Sequence, residues 1–504
     1  MEPIFCAGRF LASLGQEVLE ARDPRSGELL PGRYPVSPRR ELEAMVTAGK
    51  AAAAALRSVV PARRADFLER CAIEIEADAD AIAARAAGET GLALKPRLRE
   101  VEMARTLGQL RQAAAAVRDG GWALPTMDPQ NDLRSAYFAL GGPVLVIGPS
   151  NFPLAFNSMC GGDFASAIAA GNPVIGKAHP GHPGTTLLLA RCIERALTAC
   201  GDLPPALVQM FFHCSSDDGL WLVAHPGVSA VGFTGSRASG LRIKAAADAA
   251  GKPAYLEMSS INPVFVLPGA LRGGVDQFAD DFAASSLLAA GQMCTNPGLV
   301  IALAGDAADA LLAAVTARLR AAPAGTLLGA GGVTQLESAV ATLRSAGAQV
   351  VAGGEREPGP ACRFQNTVLR VRGSEFLAAS DALQTEAFGS TSLFVVVEDL
   401  DEMLLVAESL HGNLCGAIYS GTDDADEAAY RRLEPILRER VGRLMNDKMP
   451  TGVAVSPAMN HGGPYPATGH PGFTGVGFPA AIRRFAKLTC YDHVRPHRLP
   501  ELLR

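Results

Sequence analysis

Short apolar runs that alternate with helical stretches constrain the fold of this chain most strongly. From residue 139 onwards, apolar runs with the length of buried β-strands span 144–147, 173–176, 208–212, 230–233 and 263–267. Ala- and Leu-rich segments of helical length lie between them, for example 185–200 and 241–250. This alternation is typical of βαβ units, in which parallel strands form a sheet with helices on both faces. We therefore predict an α/β fold.

A second region of the same kind follows the first. Residues 271–446 contain further apolar runs at 299–303, 393–397 and 415–419, again separated by helical patterns. Residues 41–117 carry Ala, Leu, Arg and Glu at helical spacing with few breakers, so we expect several helices there. The chain has 504 residues, and single hydrophobic cores stop growing near ~250–300 residues. We therefore predict two α/β domains.

Charge and cysteine content disfavour several classes of protein. The net charge is −5 and the charged residues are scattered, which argues against a nucleic-acid-binding protein. The ten cysteines include no Cys-x-x-Cys pair, so we expect a reducing compartment and neither a disulfide framework nor a cysteine zinc site. The start shows no signal peptide, and Gly and Pro interrupt the nearly uncharged stretch 135–176 too often for a membrane span. We expect a cytoplasmic protein without nucleic-acid or membrane partners.

Three polar residues at the ends of predicted elements are candidates for catalysis. Cys294, in GQMCTNPG, lies between a predicted helix and an apolar run, and it is either a thiolate nucleophile or a small buried thiol. Glu257, in YLEMSSINP, ends a strand-like run and is either a catalytic base or a paired structural acid. Asn151, in GPSNFPLAF, follows a strand and is either an oxyanion donor or a turn former.

Two further segments have the chemistry of a nucleotide site. GFTGSRASG places Gly235, Ser236 and Gly240 between a strand and a helix, where the N–H groups of a helix N-terminus can bind phosphate. Such a turn is also common as plain structure, and it lacks the G-x-G-x-x-G fingerprint. Lys177 ends another predicted strand, so it either reaches a ribose or phosphate or is simply solvated.

The order of these motifs resembles that of aldehyde dehydrogenases along nearly the whole chain. The residues that carry the resemblance are, in chain order, Asn151, Lys177, Gly235, Glu257, Cys294, Glu386 and Phe388. The last two lie in TEAFGS, which is similar to the E-x-F-G-P motif of the family but has Ser390 in place of proline. The resemblance favours the catalytic interpretation of Cys294 and Glu257.

Three stretches resemble one branch of this family, the α-ketoglutaric semialdehyde (2,5-dioxovalerate) dehydrogenases, whose relatives include an NADP-dependent fatty aldehyde dehydrogenase. They span 150–185, 291–300 and 450–486. Thr-Asn-Pro after Cys294 and the segment HGGPYPAT are the most diagnostic parts. The segment SSIN after Met258 lacks the usual glycine, and GGPYPATGHPG has an altered second half, which bears on the substrate more than on the chemistry.

The resemblance implies a mechanism with a cysteine thioester. The Cys294 thiolate attacks an aldehyde carbon, and the Cys294 backbone N–H and the Asn151 amide bind the oxyanion. Hydride then leaves to the nicotinamide, and Glu257 deprotonates the water that hydrolyses the thioester to a carboxylic acid. Glu386 would hold the nicotinamide ribose, and Phe388 would lie near the ring. No metal is implied, and the histidines show no ligand spacing.

The resemblance also implies how the cofactor is held. Gly235, Ser236 and Gly240 would receive the pyrophosphate, and Lys177 would contact the adenine-side ribose. Relatives that prefer NAD commonly carry a glutamate three residues after this lysine, which would repel a 2′-phosphate. Here that position is Pro180, preceded by His179. We therefore predict NADP or NAD as cofactor, with NADP favoured.

The substrate of the resembling branch carries a second carboxylate, which calls for a cation. Arg105 and Arg111, on the predicted helix EMARTLGQLRQ, are the candidates for it. Phe152, Phe156 and Met159 would line the substrate tunnel. A tunnel without arginine would instead favour a broad NADP-dependent dehydrogenase of medium-chain or aromatic aldehydes. An inactive dinucleotide-binding relative is the non-enzymatic alternative, and the joint presence of Cys294, Glu257 and Asn151 argues against it.

The resemblance finally implies a domain plan. Residues 1–125 and 145–267 would form a Rossmann-like dinucleotide-binding domain, and residues 268–462 an α/β catalytic domain. Residues 126–144 and 463–504 would form an oligomerisation arm and C-terminal segment. Such an arm pairs across subunits, so we expect a homodimer or homotetramer.

Overall fold

Two large sheets organise the chain in the computed structural model, which describes residues 1–472 and 474–504. Within those residues the first sheet has seven strands, in the spatial order Ala254–Glu257, Ala230–Thr234, Val144–Ile147, Val174–Lys177, Val208–Phe211, Ile4–Cys6 and Arg9–Leu11. The first five strands in this order are parallel to one another. The two N-terminal strands are antiparallel and extend one edge of the sheet.

The first five strands are parallel because they are largely apolar on both faces and helices cover them. Val144–Ile147 and Val174–Lys177 are buried except at their last residues, and Val208–Phe211 is buried throughout. The helices of this half are Arg39–Ala55, Pro61–Ala77, Ala79–Thr90, Met103–Asp119, Gly162–Ala170, Pro183–Cys200, Ser216–Ala224 and Arg237–Ala249. The first four confirm the helices predicted for residues 41–117.

The second sheet also has seven strands in the described part of the chain. They lie in the order Gln349–Ala352, Thr367–Arg372, Thr391–Val397, Leu299–Leu303, Pro263–Val266, Asn413–Tyr419 and Val441–Asn446. All neighbours are parallel except the first pair, and separate apolar clusters pack on the two faces. The helices of this half are Asp276–Leu287, Asp306–Ala321, Ala330–Ser345, Gly373–Ala378, Ser380–Leu383, Leu400–Ser409 and Glu427–Arg440.

The boundary between the two sheets lies earlier than the sequence suggested. The expected domain boundary after residue 267 assigns the apolar run 263–267 to the first domain, but Pro263–Val266 lies inside the second sheet, between Leu299–Leu303 and Asn413–Tyr419. The linker from Glu257 to Pro263 is too short for the crossover of a dozen or more residues that two parallel strands of one sheet require. The chain therefore changes sheets directly after Glu257.

A small antiparallel sheet contains the predicted arm. Ala486–Asp492 pairs with Leu133–Ala139, which pairs in turn with Thr126–Asp128. Ala486–Asp492 lies within the predicted C-terminal segment 463–504, and its partner strand belongs to the same chain. A separate hairpin is formed by Val18–Arg22 and Leu29–Pro35. None of the helices formed by residues 1–472 and 474–504 is long and apolar enough to cross a membrane.

Candidate active site

Several predicted site residues meet because parallel strands of one sheet end at a common edge. Glu257 and Lys177 are the last residues of their strands, and Asn151 follows Val144–Ile147 by four residues. In open α/β sheets this carboxyl edge is where ligands bind. Cys294 approaches from the other half, in a turn between Leu288–Gly291 and Leu299–Leu303. The site therefore lies where the two sheets adjoin.

A histidine joins the candidate nucleophile to the candidate base. His461 Nε2 lies 3.5 Å from Cys294 Sγ and 2.9 Å from a carboxylate oxygen of Glu257. The imidazole is 3% exposed and the carboxylate side chain 9%, so water screens neither group well. The His461 backbone N–H donates to Thr474 Oγ1, and the ring contacts Phe156 edge-on. The same imidazole nitrogen thus lies next to both the Cys294 thiol and the Glu257 carboxylate.

Electrostatics keep the candidate nucleophile protonated in the resting site. Burial raises the pKa of the Cys294 thiol well above its usual value, and the negative charge of Glu257 raises it further. The guanidinium of Arg105 acts in the opposite direction but does not reverse the shift. A thiol attacks an aldehyde efficiently only as thiolate, so the site needs a nearby proton acceptor. His461 Nε2, 3.5 Å from the sulfur, can accept that proton in the tautomer that leaves this nitrogen unprotonated.

A buried ion pair holds the loop that carries Asn151. The Glu102 side chain is fully buried, and one of its oxygens accepts the backbone N–H groups of Leu154 and Ala155, each at 2.9 Å. Its other oxygen pairs with Arg97, whose second guanidinium nitrogen donates to the Asn151 carbonyl oxygen at 3.0 Å. The chain around Asn151 is therefore fixed by charge-assisted hydrogen bonds at both ends.

The Asn151 side chain connects the two halves of the site. Its Nδ2 donates to the carbonyl oxygen of Gln292 at 3.0 Å, two residues before Cys294. An amide nitrogen carries two N–H groups, so one remains for a ligand. The Cys294 turn is held from its other side by Asn262 Nδ2, which donates to the carbonyl oxygens of Cys294 and Asn296.

A cavity of about 500 Å³ opens onto Cys294 and is mostly apolar. Phe152 and Phe156 line it as expected, with ring centroids 5.3 Å apart. Met159 does not line the cavity: it is fully buried, with its sulfur against Gly176 of the central sheet. The family resemblance was therefore wrong for Met159, because the loop turns after Phe156 and directs Met159 into the core.

The two candidate arginines, Arg105 and Arg111, lie in different parts of the structure. Arg105 lines the cavity, with its guanidinium 5.6 Å from the Phe152 ring centroid and 5.4 Å from that of Phe156. Its Nη1 donates to the Val453 carbonyl, and its buried Nε has no hydrogen-bond partner in the described residues. Arg111 instead pairs with Glu76 at the surface. Six residues turn an α-helix by about 240°, so the two side chains cannot share a face.

The turn expected to bind pyrophosphate lies at the N-terminus of the helix Arg237–Ala249. Ser236 caps this helix by accepting the N–H of Ser239, and the N–H of Arg237 donates to Ser259 Oγ at 3.4 Å. A side chain at Gly235 would meet the Phe233 ring at 2.7 Å, and one at Gly240 would meet Met258 at 2.7 Å. Both glycines therefore permit close packing between this turn and the sheet.

Lys177, His179 and Pro180 form one short segment at the end of their strand. Burial lowers the pKa of Lys177, whose ammonium donates only to the neighbouring Ala178 carbonyl in the described structure. Burial also lowers the pKa of His179 well below its usual value, helped by the charges of His182 and Lys177. Pro180 contributes no charge at the position of the NAD-type glutamate. The segment therefore has no acidic residue among Lys177, His179 and Pro180.

Glu386 and Phe388 lie on the far side of the Cys294 turn. They line a small cavity together with Met293 and Ser260. Burial raises the pKa of Glu386 to about 7, although the Ser260 backbone N–H donates to its carboxylate at 3.2 Å. A carboxylate in this place can accept hydrogen bonds from ribose hydroxyls. These donors and acceptors together match a dinucleotide.

Three residues of the site were not assigned by the sequence. His461 lies in HGGPYPAT, a motif of the family resemblance in which the histidine was given no role. The only sequence feature that indicated a function for His461 was its place in a Gly- and Pro-rich segment. Arg97 and Glu102 lie in KPRLREVE, an ordinary charged stretch that gives no sequence signal. Their roles follow only from burial and contacts.

Comparisons with known proteins agree with this geometry. The model of the aldehyde dehydrogenase family matches residues 10–463. The chain is 41% identical to α-ketoglutaric semialdehyde dehydrogenase 2 of Azospirillum brasilense over 496 residues, covering 96% of this chain and 93% of that protein. It is 37% identical to the α-ketoglutaric semialdehyde dehydrogenase of Acinetobacter baylyi, covering 88% and 84%.

Solved structures show the same fold at low sequence identity. Betaine aldehyde dehydrogenase of Staphylococcus aureus superposes with a TM-score of 0.82 at 19% identity, covering 97% of this chain and 95% of that one. A Thermus 1-pyrroline-5-carboxylate dehydrogenase with bound NAD also gives 0.82, at 23% identity, covering 97% and 92%. The chain belongs to the aldehyde dehydrogenase family of NAD(P)-dependent oxidoreductases.

Proposed function

We propose that the enzyme oxidises α-ketoglutaric semialdehyde to α-ketoglutarate. The names of its relatives from Azospirillum brasilense and Acinetobacter baylyi support this substrate. The observation that carries the proposal is Arg105, a largely buried guanidinium on the cavity wall whose Nε lacks a partner in the described residues. Arg105 and Cys294 line the same cavity. A short semialdehyde can therefore reach the thiol while its carboxylate binds Arg105.

The first chemical step joins sulfur to carbon. His461 Nε2 takes the proton of Cys294, and the thiolate attacks the aldehyde carbon to give a thiohemiacetal. The free N–H of the Asn151 amide and the Cys294 backbone N–H stabilise the oxyanion. The Gly235 turn would help to hold NAD(P), and the nicotinamide would supply the hydride acceptor needed to convert this adduct to a thioester. The neighbouring Glu257 carboxylate stabilises the imidazolium formed on His461.

The second step releases the acid. Glu257 takes a proton from water, whose oxygen attacks the thioester carbon, and the C–S bond then breaks. The carboxylic acid leaves and the thiolate sulfur returns, to be protonated again through His461. Because the Cys294 sulfur and the Glu257 carboxylate both lie next to His461 Nε2, the imidazole orients Glu257 during this step.

We propose further that NADP is favoured over NAD. Lys177 and His179 lie at the end of their strand, and Pro180 replaces the acidic residue that would repel a 2′-phosphate. Lys177, Gly235, Ser236, Gly240, Glu386 and Phe388 would hold the dinucleotide as the family resemblance implies.

The antiparallel sheet around Leu133–Ala139 is our proposed oligomerisation arm, in a homodimer or homotetramer.

A second substrate class is favoured by the walls of the cavity. About 500 Å³ exceeds the need of a short semialdehyde, and its outer part includes the exposed side chains of Val101 and Leu288. Medium-chain or aromatic aldehydes would bury apolar surface there. Such substrates make no use of Arg105.

The two classes are separated by steady-state NADPH formation with α-ketoglutaric semialdehyde, hexanal and benzaldehyde. Arg105→Met should lower kcat/KM for the semialdehyde by roughly tenfold to hundredfold, the cost of a charged hydrogen bond, and leave hexanal unaffected. Arg111→Met is the matched control and should change neither substrate. Equal losses for both substrates in Arg105→Met would refute carboxylate recognition by Arg105. Cys294→Ala should abolish all turnover.

A further inference from the structure

Three ligand atoms of different chemical type converge beside the substrate cavity. Cys294 Sγ, His461 Nε2 and a Glu257 carboxylate oxygen all lie within 4.8 Å of one another. They come from the end of one strand, a turn and a loop near the C-terminus, so no spacing rule in the sequence could reveal them. Cys294 and His461 also face the cavity, which leaves the cluster open on one side.

The distances fit a tetrahedral metal ion. With Zn–S near 2.3 Å and Zn–N near 2.0 Å, a tetrahedral angle places sulfur and nitrogen about 3.5 Å apart, and nitrogen and oxygen about 3.3 Å apart. The observed separations are 3.5 Å for Cys294 Sγ and His461 Nε2, and 2.9 Å for His461 Nε2 and the Glu257 oxygen. A carboxylate shift of about 0.4 Å would bring the Glu257 oxygen to the tetrahedral separation from His461 Nε2, and that oxygen lies within 4.8 Å of Cys294 Sγ.

Charge and ligand type select the ion. A thiolate and a carboxylate carry two negative charges in a buried place, and a divalent cation neutralises both. One sulfur, one nitrogen and one oxygen suit Zn²⁺ and not Mg²⁺ or Ca²⁺, which prefer oxygen ligands. Three protein ligands with a fourth position open to the cavity are the pattern of accessible zinc sites.

We propose that Cys294, His461 and Glu257 bind one Zn²⁺ reversibly and that this zinc inhibits the enzyme. Zinc replaces the thiol proton, which passes to solvent, and it occupies the sulfur lone pair that attacks the aldehyde. It also removes His461 and Glu257 from proton transfer. The inhibition rests on the proposed catalytic roles of these residues, whereas the metal site itself does not.

The binding test uses the purified full-length enzyme without substrate or thiol reductant. Zn²⁺ is titrated in competition with a chromophoric chelator, and Co²⁺ is added separately to observe the absorption of a cobalt–thiolate bond. We expect one Zn²⁺ per chain and no effect of Mg²⁺. His461→Asn, Cys294→Ser and Glu257→Gln should each weaken zinc binding by at least about a hundredfold. Circular dichroism confirms that each variant is folded.

His461→Asn is the decisive variant, because a lone thiol would bind zinc equally well without the histidine. Unchanged zinc affinity in His461→Asn, or no zinc bound by the wild-type enzyme, would overturn the proposal. Cys490→Ser, which removes an exposed cysteine far along the chain, is the control and should leave zinc affinity unchanged.

Inhibition is measured in parallel as NADPH formation with and without Zn²⁺, and a chelator should restore the rate. An enzyme that binds zinc in the absence of substrate yet turns over no semialdehyde would refute the proposed function alone. An enzyme that turns over the semialdehyde and binds no zinc would refute the metal site alone.

Discussion

Glu102→Gln tests how the oxyanion donor is positioned. The substitution keeps the size of the side chain but removes the charge that pairs with Arg97, which is 12% exposed. Breaking a buried ion pair by removing one partner costs about 3–5 kcal/mol of folding stability. The Gln NH₂ group then faces the guanidinium, so Arg97 moves and no longer holds the Asn151 carbonyl.

The catalytic effect of this change has an upper limit. Removing one oxyanion donor costs about a hundredfold to a thousandfold in kcat, and Asn151→Ala should show this full loss. A displaced donor should cost about tenfold to a hundredfold, because misplacement by ~1 Å has that effect. The assay is kcat for semialdehyde oxidation, with stability from chemical denaturation in the same buffer.

A double-mutant cycle separates positioning from general damage. If Glu102 acts through Asn151, then Glu102→Gln should lower kcat little further in the Asn151→Ala background. The matched control is Glu89→Gln. Glu89 is likewise a buried glutamate that pairs with an arginine, Arg85, and accepts two backbone N–H groups, but these belong to the helix Pro183–Cys200. It should lose stability and keep kcat.

Full additivity of the Glu102 and Asn151 effects would refute positioning through Asn151. Equal loss of kcat in Glu89→Gln would show that any weakened buried ion pair produces the same damage. Arg97→Lys is a milder second variant. It retains a positive charge beside Glu102 but loses the forked contact to the Asn151 carbonyl, so it should lower kcat with a smaller loss of stability.

Three further predictions concern the cofactor, a buried acid and assembly. Pro180→Glu should lower the NADP-to-NAD ratio of kcat/KM by about tenfold or more, because a carboxylate repels the 2′-phosphate; an unchanged ratio would place the phosphate elsewhere. Burial raises the pKa of Glu386 to about 7, so ionisation costs folding stability as pH rises from about 4.5 to 7. Glu386→Gln should therefore gain up to roughly 3 kcal/mol over wild type near pH 8 and little near pH 4.5, measured by denaturation of cofactor-free protein. Leu488→Arg places a charge on a strand whose leucine is 60% exposed, and it should shift the oligomer towards monomer in light scattering.

Local pattern was sufficient to predict most of the strands. The runs at 144–147, 208–212 and 230–233 became Val144–Ile147, Val208–Phe211 and Ala230–Thr234, because a doubly buried strand is apolar at every position. The assignment of 263–267 to the first sheet was wrong because strand pattern does not say which sheet a strand joins. The short linker between Glu257 and Pro263 was the sequence feature that indicated the change of sheet.

Contacts between distant segments were harder to predict. Arg111 was chosen because it lies on the same predicted helix as Arg105, and Met159 was assigned to the tunnel by the family resemblance. Helix periodicity excluded Arg111 in principle, whereas the turn that buries Met159 depends on close backbone packing at Gly161, where a side chain would meet Phe156 at 2.6 Å. Such packing is set by the tertiary fold and leaves no regular pattern in the sequence.

His461 shows that the chemistry of the site depends on a residue to which the sequence motifs assigned no role. Cys294 and Glu257 alone form an unfavourable pair, because the negative charge of the carboxylate raises the pKa of the buried thiol. Placing one imidazole nitrogen between them lets a proton leave sulfur without entering water and gives Glu257 a positive partner when that proton arrives. The same nitrogen supplies the third ligand that makes the cluster fit zinc. A tail residue thus determines both how the nucleophile is activated and which ion can block it.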